Sequence, residues 1–382
     1  MKLAKLAFGL ICLAILASNI VTMSRWSEAR GVYDDICYLR QAHLFQRFGV
    51  AGLSTNVALD YDDYAKGKWK EISYAEWQDP TRWPCHNPMP GGKIVLQYPP
   101  GTGFLLALFP EGHQVVPLYV AASLIVCGLA LSGIAMARTP QSIVGAGLFG
   151  TLAIYLMINP AKASYSIAPT MAVCAVAGFL TALWLTKDRR SVLLIALIGL
   201  LLGASVNFRL PNALLVAGYC LFLAIAFLRS RTLSDFTQGL GFGAGVLVGM
   251  TPTLIAQAIN AGSPLATTYG SADVVAPAFD LAVLGQYLRD MQFVLIVLAI
   301  GSTVWLLRAG EGTVHKVALV VAGNLIVNLV FFLSHPIFTP YYVVPIAMLS
   351  LWSVSFAWLM QEQARQAADL RQEPARLEAL PR

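Results

Sequence analysis

The sequence predicts an all-α polytopic membrane protein, and three observations carry that expectation. Hydrophobic residues make up 57% of the chain and charged residues 12%, about half the ~25% charge of a soluble domain. Mean hydropathy is +0.65. The apolar residues gather into ten runs near the roughly 17–25 residues that cross a bilayer as a helix. With 31 Gly and 20 Pro among 382 residues, neither a collagen-like nor a disordered chain is expected.

The ten runs are 5–23, 114–136, 142–158, 165–185, 192–206, 210–228, 238–259, 291–307, 316–333 and 341–360. The first follows Lys2 and Lys5 but continues to Met23 without an A-x-A site, so it reads as a retained span rather than a signal. A further run, 94–110, is broken by Pro99, Pro100, Gly101 and Gly103 and reads as a re-entrant or interfacial segment over 98–110. Charge bias agrees. With that segment not crossing, 14 of the 26 Lys and Arg fall on the side of both termini, and the short loops opposite carry only Lys162, Arg209 and Arg289. The positive-inside rule then places both termini in the cytoplasm and the long loop 24–97 outside. Residues 1–360 form one transmembrane domain, with a cytoplasmic tail over 361–382. The net charge of +6 is topological. The basic stretches are too short for a nucleic-acid surface.

The loop 24–97 opens with Tyr33-Asp34-Asp35-Ile36-Cys37-Tyr38. Ile36, Leu39, His43/Leu44 and Arg47/Phe48 follow helical spacing, which predicts an amphipathic helix at the interface ending at Gly49. Asp34 and Asp35 fall in its first turn, with Asp35 at N1, where the helix dipole favours a carboxylate. They read either as caps or as a general base for an attacking hydroxyl. Tyr61, Tyr64, Trp69, Tyr74, Trp77 and Trp83 follow, interleaved with Asp60, Asp62, Asp63 and lysines. This is either an aromatic belt with solvated charges or a stacking surface for sugars. The three aspartates lack the glycine and glutamate of a calcium loop. Cys37 and Cys85 share the loop, and its oxidising side admits a disulfide.

Other features fall on the same side. Arg209, in the short loop Asn207-Phe208-Arg209-Leu210-Pro211-Asn212, reads as a snorkelling cation or as a ligand for a lipid phosphate. Lys162 offers the same two readings. The loop 260–290 contains Gly262-Ser263-Pro264 and Thr267-Thr268-Tyr269, and the loop 334–340 carries His335 ahead of Tyr341 and Tyr342. Span interiors hold almost no charge, which weighs against an ion-coupled pump.

Together these residues resemble the GT-C superfamily of integral-membrane glycosyltransferases, in particular its protein O-mannosyltransferase and aminoarabinose–lipid A transferase branch. There a D-E-x-x-Y pattern follows the first span, as Asp34-Asp35-Ile36-Cys37-Tyr38 does here. Tyr98-Pro99-Pro100, Arg209-Leu210-Pro211, Gly262 to Tyr269 and Tyr341-Tyr342-Val343-Val344-Pro345 match later motifs in order, over roughly residues 1–350. Gln97 and Tyr98 stand where the family often has Lys or Glu, and Pro340 stands where Arg is common. The resemblance implies an inverting transfer of a sugar from a polyprenyl-phosphate donor to a lipid, glycan or protein acceptor, at the outer face of the inner membrane. It implies Asp34 as base, Asp35 as an orienting residue, and Arg209 and Lys162 on the donor phosphate. Tyr38, Tyr98, Tyr269, His335 and Tyr342 would contact substrate. No soluble cofactor is implied. A divalent cation at Asp34 and Asp35 is left open, because some relatives use one. The other readings are a flippase or transporter of lipid-linked saccharides, and a non-enzymatic assembly protein docking through 24–97.

Overall fold

The computed structural model describes residues 1–30, 32–159, 164–186, 191–270, 275–339 and 341–378, the last ten of these by their backbone only. The architecture is all-α and of multi-pass membrane type. Fourteen α-helices and one small hairpin are present among the described residues. They are α1 (Lys2–Met23), α2 (Tyr33–Phe48), α3 (Tyr64–Glu71), β1 (His86–Met89), β2 (Lys93–Leu96), α4 (Gly101–Ala107), α5 (Val115–Met136), α6 (Pro140–Leu156) and α7 (Ile167–Thr186). Then come α8 (Val192–Val206), α9 (Ala217–Ser230), α10 (Leu233–Ala261), α11 (Leu281–Arg289), α12 (Met291–Ala309), α13 (Gly312–Leu333) and α14 (Val344–Glu378).

Each of the ten predicted runs coincides with a helix. Eight helices are long and apolar enough to cross a membrane, while α6 and α8 are shorter apolar helices of 17 and 15 residues. The sixth run begins as a 3-10 turn, Leu210–Val216, before continuing as α9. In hydrocarbon such a break must find its hydrogen bonds inside the protein. Here α13 supplies them: Asn324 Nδ2 donates to the Leu215 carbonyl and Asn328 Nδ2 to the Leu214 carbonyl, both at 2.9 Å. The bundle centres on α7 and α14, where Trp184, Trp352 and Phe356 are buried. The helix α14 runs unbroken past residue 360, so the expected tail is its continuation.

The loop 24–97 is a folded unit with its own core. Ile36, Cys37, Ala65, Trp69, Trp83 and Leu96 pack together, and this corrects both readings for two of its aromatics. Trp69 and Trp83 are neither a belt nor a sugar platform, because they fill this core. The helix α2 also departs from expectation. It ends at Gly49 (φ 56°) as predicted, but it is not a one-sided amphipathic helix. Ten of its 16 residues are buried, Asp35, Arg40 and Gln41 among them. The period marked its apolar face correctly. What it could not show is that the polar face would also be covered. Arg40 is fully buried, and its guanidinium meets Asp60 Oδ2 at 2.7 Å and the Thr55 and Asn56 carbonyls at 2.9 and 3.2 Å. Asp62 meets His43 and Arg47, and Asp63 meets Lys66. The three aspartates therefore face separate cations rather than one calcium ion.

The hairpin was not foreseen. Its strands pair antiparallel around Pro90-Gly91-Gly92, with Gly91 and Gly92 at φ 80° and 73°, where only glycine is unstrained. Cys37 and Cys85 form a disulfide that ties α2 to the start of this hairpin. The helix α4 has seven residues, about 10 Å at 1.5 Å per residue, and so does not span. It docks closely: a Cβ on Gly103 would meet the Gln41 side chain at 2.6 Å, and one on Gly101 would meet Asn207 at 2.7 Å.

Candidate active site

Five segments far apart in sequence meet at one cavity of about 690 Å³. Asp34 and Tyr38 reach it from the first two turns of α2, Tyr98 from the chain after β2, and Arg209 from the turn after α8. Tyr269 comes from the segment after α10, and His335, Tyr341 and Tyr342 from the segment between α13 and α14. Leu210, Pro211, Leu214, Phe331 and Phe332 give the rest of the wall an apolar lining.

Four of the five segments are held by side-chain bonds to main chain. Gln292, fully buried on α12, donates to the Thr339 carbonyl and accepts from the Val343 N–H, both at 3.1 Å, and so fixes the turn bearing Tyr341 and Tyr342. Thr268 donates to the Gln97 carbonyl at 2.8 Å, and Asn87 donates to the Thr268 carbonyl at 3.0 Å, which sets Tyr269 beside Tyr98. Asn207 sets Arg209: its Nδ2 donates to the Gly249 carbonyl, and its own carbonyl accepts from the Gly101 N–H, both at 2.7 Å.

Asp34 accepts two phenolic hydrogen bonds, from Tyr98 to Oδ1 at 2.6 Å and from Tyr341 to Oδ2 at 3.1 Å. Tyr98 stacks on Tyr38 with ring centres 4.9 Å apart and meets Tyr269 edge-on. Burial pushes the Tyr38, Tyr98 and Tyr269 hydroxyls well above the ordinary phenol range, so they stay protonated donors. Arg209 is 8% exposed, and its guanidinium lies 4.5 Å from the Tyr341 ring centre and 5.3 Å from that of Tyr342. Among the described residues no carboxylate lies within 4.0 Å of it. The contrast with Arg40, paired to Asp60, and with Arg30, paired to Asp35, is direct. A buried, unpaired guanidinium is costly. Facing a cavity, it is suited to an anion that supplies the missing charge and accepts two parallel hydrogen bonds.

Of the nine residues singled out from the sequence, seven line this cavity: Asp34, Tyr38, Tyr98, Arg209, Tyr269, His335 and Tyr342. Lys162 lies outside the described residues. Asp35 does not join them. It occupies the third helical position rather than N1, makes no cap, and is fully buried, with Oδ2 on Arg30 at 2.8 Å and Oδ1 accepting from the Tyr165 N–H at 3.2 Å. Burial pushes its pKa up to about 7, against the pull of Arg30. Consecutive helical residues point about 100° apart, so the two carboxylates face different neighbours. They do not form a paired site for a divalent ion. Cys37, Cys85 and His86 also gather their ligand atoms within 4.8 Å, but both sulfurs are bonded to each other.

Two contributors escaped the sequence reading. Tyr341 was named there beside His335 and in a motif but given no role, although the Tyr-Tyr pair itself was the available signal. Gln97 lines the cavity and accepts from Asn87 at 3.1 Å, and no local pattern marked it as more than a departure from the family. Scans of protein-family models, of curated proteins and of solved structures find nothing that matches this chain.

Proposed function

We infer that the protein is a GT-C-like glycosyltransferase that moves a sugar from a polyprenyl-phosphate donor to a hydroxyl acceptor on a lipid, glycan or protein. The observation that carries this reading is the meeting of Asp34 and Arg209 on one largely apolar cavity of about 690 Å³. A carboxylate held by neutral phenols is placed to accept a proton. A buried guanidinium that meets no carboxylate among the described residues is placed to hold a phosphate, and the apolar wall suits a lipid chain.

In the reaction the acceptor oxygen attacks the anomeric carbon as its proton passes to Asp34. The bond from that carbon to the phosphate oxygen breaks. The polyprenyl phosphate leaves with the bonding pair, its charge stabilised by Arg209. Attack opposite the leaving group inverts the anomeric centre. The cavity takes Asp34 and Tyr38 from the loop 24–97, which the positive-inside rule assigns to the outer face of the inner membrane, with both termini cytoplasmic.

The test is complementation of a deletion strain by wild type and by Asp34→Asn at matched membrane abundance, with surface glycolipids and glycans read by mass spectrometry. A sugar-sized mass lost on deletion returns with wild type. With Asp34→Asn it stays reduced about 10²- to 10⁴-fold, the usual worth of a general base. Full restoration by Asp34→Asn removes the reading.

A further inference from the structure

Tyr341 touches both halves of the proposed chemistry. Its hydroxyl covers Asp34 Oδ2 at 3.1 Å, and its ring lies 4.5 Å from the Arg209 guanidinium. The other phenol on Asp34, Tyr98, makes the shorter bond and is held on two sides by Tyr38 and Tyr269. Resting on the glycosyl-transfer reading, we propose that Tyr341 is a positioning residue that keeps Asp34 Oδ2 covered until a phosphoryl group occupies Arg209, so that the phospholipid donor binds before the hydroxyl acceptor.

The physical argument has three steps. Without an anion, the electron-rich faces of Tyr341 and Tyr342 favour the Arg209 charge, and this holds the Tyr341 ring in place. A phosphoryl anion offers the guanidinium charge-assisted hydrogen bonds, which are stronger, and so weakens the hold of the ring. The bond released is then the longer of the two on Asp34, near the weak end for O–H···O. The turn need not move for this. Gln292 grips the backbone at Thr339 and Val343, on either side of Tyr341, so the side chain can rotate alone. The uncovered Oδ2 is the atom an acceptor hydroxyl requires. A base exposed only after the donor is seated also keeps acceptor and water from competing for it beforehand.

The experiment uses the full chain in nanodiscs, with and without a long-chain polyprenyl monophosphate. Asp34 accessibility is read by carbodiimide–amine labelling and peptide mass spectrometry, and retained lipid is measured in parallel. The expected result is a several-fold rise in Asp34 labelling when the lipid binds wild type. Tyr341→Phe, which keeps the ring and loses the hydroxyl, labels at the raised rate with or without lipid. Its lipid-bound rate is the ceiling that lipid-bound wild type reaches. Arg209→Gln retains less lipid and, having no guanidinium to hold the ring, labels at a rate that added lipid does not change.

If wild type retains more lipid than Arg209→Gln but its Asp34 labelling does not change, the coupling is overturned and the phosphate role stands. Lipid-dependent labelling in Tyr341→Phe has the same meaning. Equal lipid retention by wild type and Arg209→Gln overturns the phosphate role and the coupling with it.

Discussion

Asn207 Oδ1 accepts from both the backbone N–H and the hydroxyl of Thr253, at 2.9 and 2.7 Å, one residue beyond the proline inside α10. Its Nδ2 meanwhile donates to the Gly249 carbonyl. Residues 249 and 253 are the carbonyl and amide that a regular helix joins to each other. The Asn207 carboxamide sits between them, next to Pro252, which has no N–H to give. Two residues from Arg209, this side chain anchors the turn that bears it to α10.

Asn207→Ala leaves those groups without their partner and is expected to cost about 2 kcal/mol, read as a lower thermal midpoint in detergent. Retention of polyprenyl monophosphate should fall as well, because Arg209 loses its support. A destabilised variant that retains the lipid fully would separate the anchor from the site.

Arg40 and Asp60 predict an asymmetry. Asp60→Asn leaves the Arg40 guanidinium buried and unpaired, at an expected cost of about 3–5 kcal/mol, whereas Arg40→Met with Asp60→Leu removes both charges and is expected to cost less. Unfolding midpoints of the two variants check this. A double variant less stable than Asp60→Asn would contradict it.

The pH dependence follows from Asp35. Its pKa is raised by burial to about 7 from an ordinary 3.8, so the folded state binds this proton more tightly than the unfolded chain. Its contribution to stability is full below pH 3.8, declines as pH rises to about 7, and is level above. Thermal midpoints measured from pH 5 to 8 are expected to fall less steeply in Asp35→Asn than in wild type. Parallel curves would refute this assignment.

Removing the disulfide by Cys37→Ser with Cys85→Ser opens a crosslink spanning 48 residues and is expected to cost about 2–4 kcal/mol. A phosphine reductant should lower the midpoint of wild type by a similar amount and leave the double variant unchanged.

The helices were legible because a bilayer imposes length and apolarity on contiguous stretches, and those are local properties. Asp34, Tyr98, Arg209 and Tyr342 were legible as motif positions, and they do converge. The partners that hold them were not. Arg30 with Asp35, Arg40 with Asp60, Gln292 with the 339–343 turn and Asn207 with α10 are joined by the fold, and no spacing in the chain announces which carboxylate a given arginine will meet. Asp34 and Asp35 illustrate the limit. They are adjacent and identical in type, and only the packing of α2 sends one to a cavity and the other to a buried ion pair.

The bond between Asp34 and Tyr341 joins residues 307 positions apart, and this gives the site a timetable. At about 5–20 residues per second of synthesis, Asp34 precedes Tyr341 from the ribosome by about 15–60 s. Throughout that interval the carboxylate lacks one of its two donors, and for much of it Arg209 has emerged without the rings that later flank it. A nascent chain stopped at the end of α13 therefore carries Asp34 and Arg209 but not the ring that joins them. The cluster is complete only once the segment bearing Tyr341 and Tyr342 has joined it.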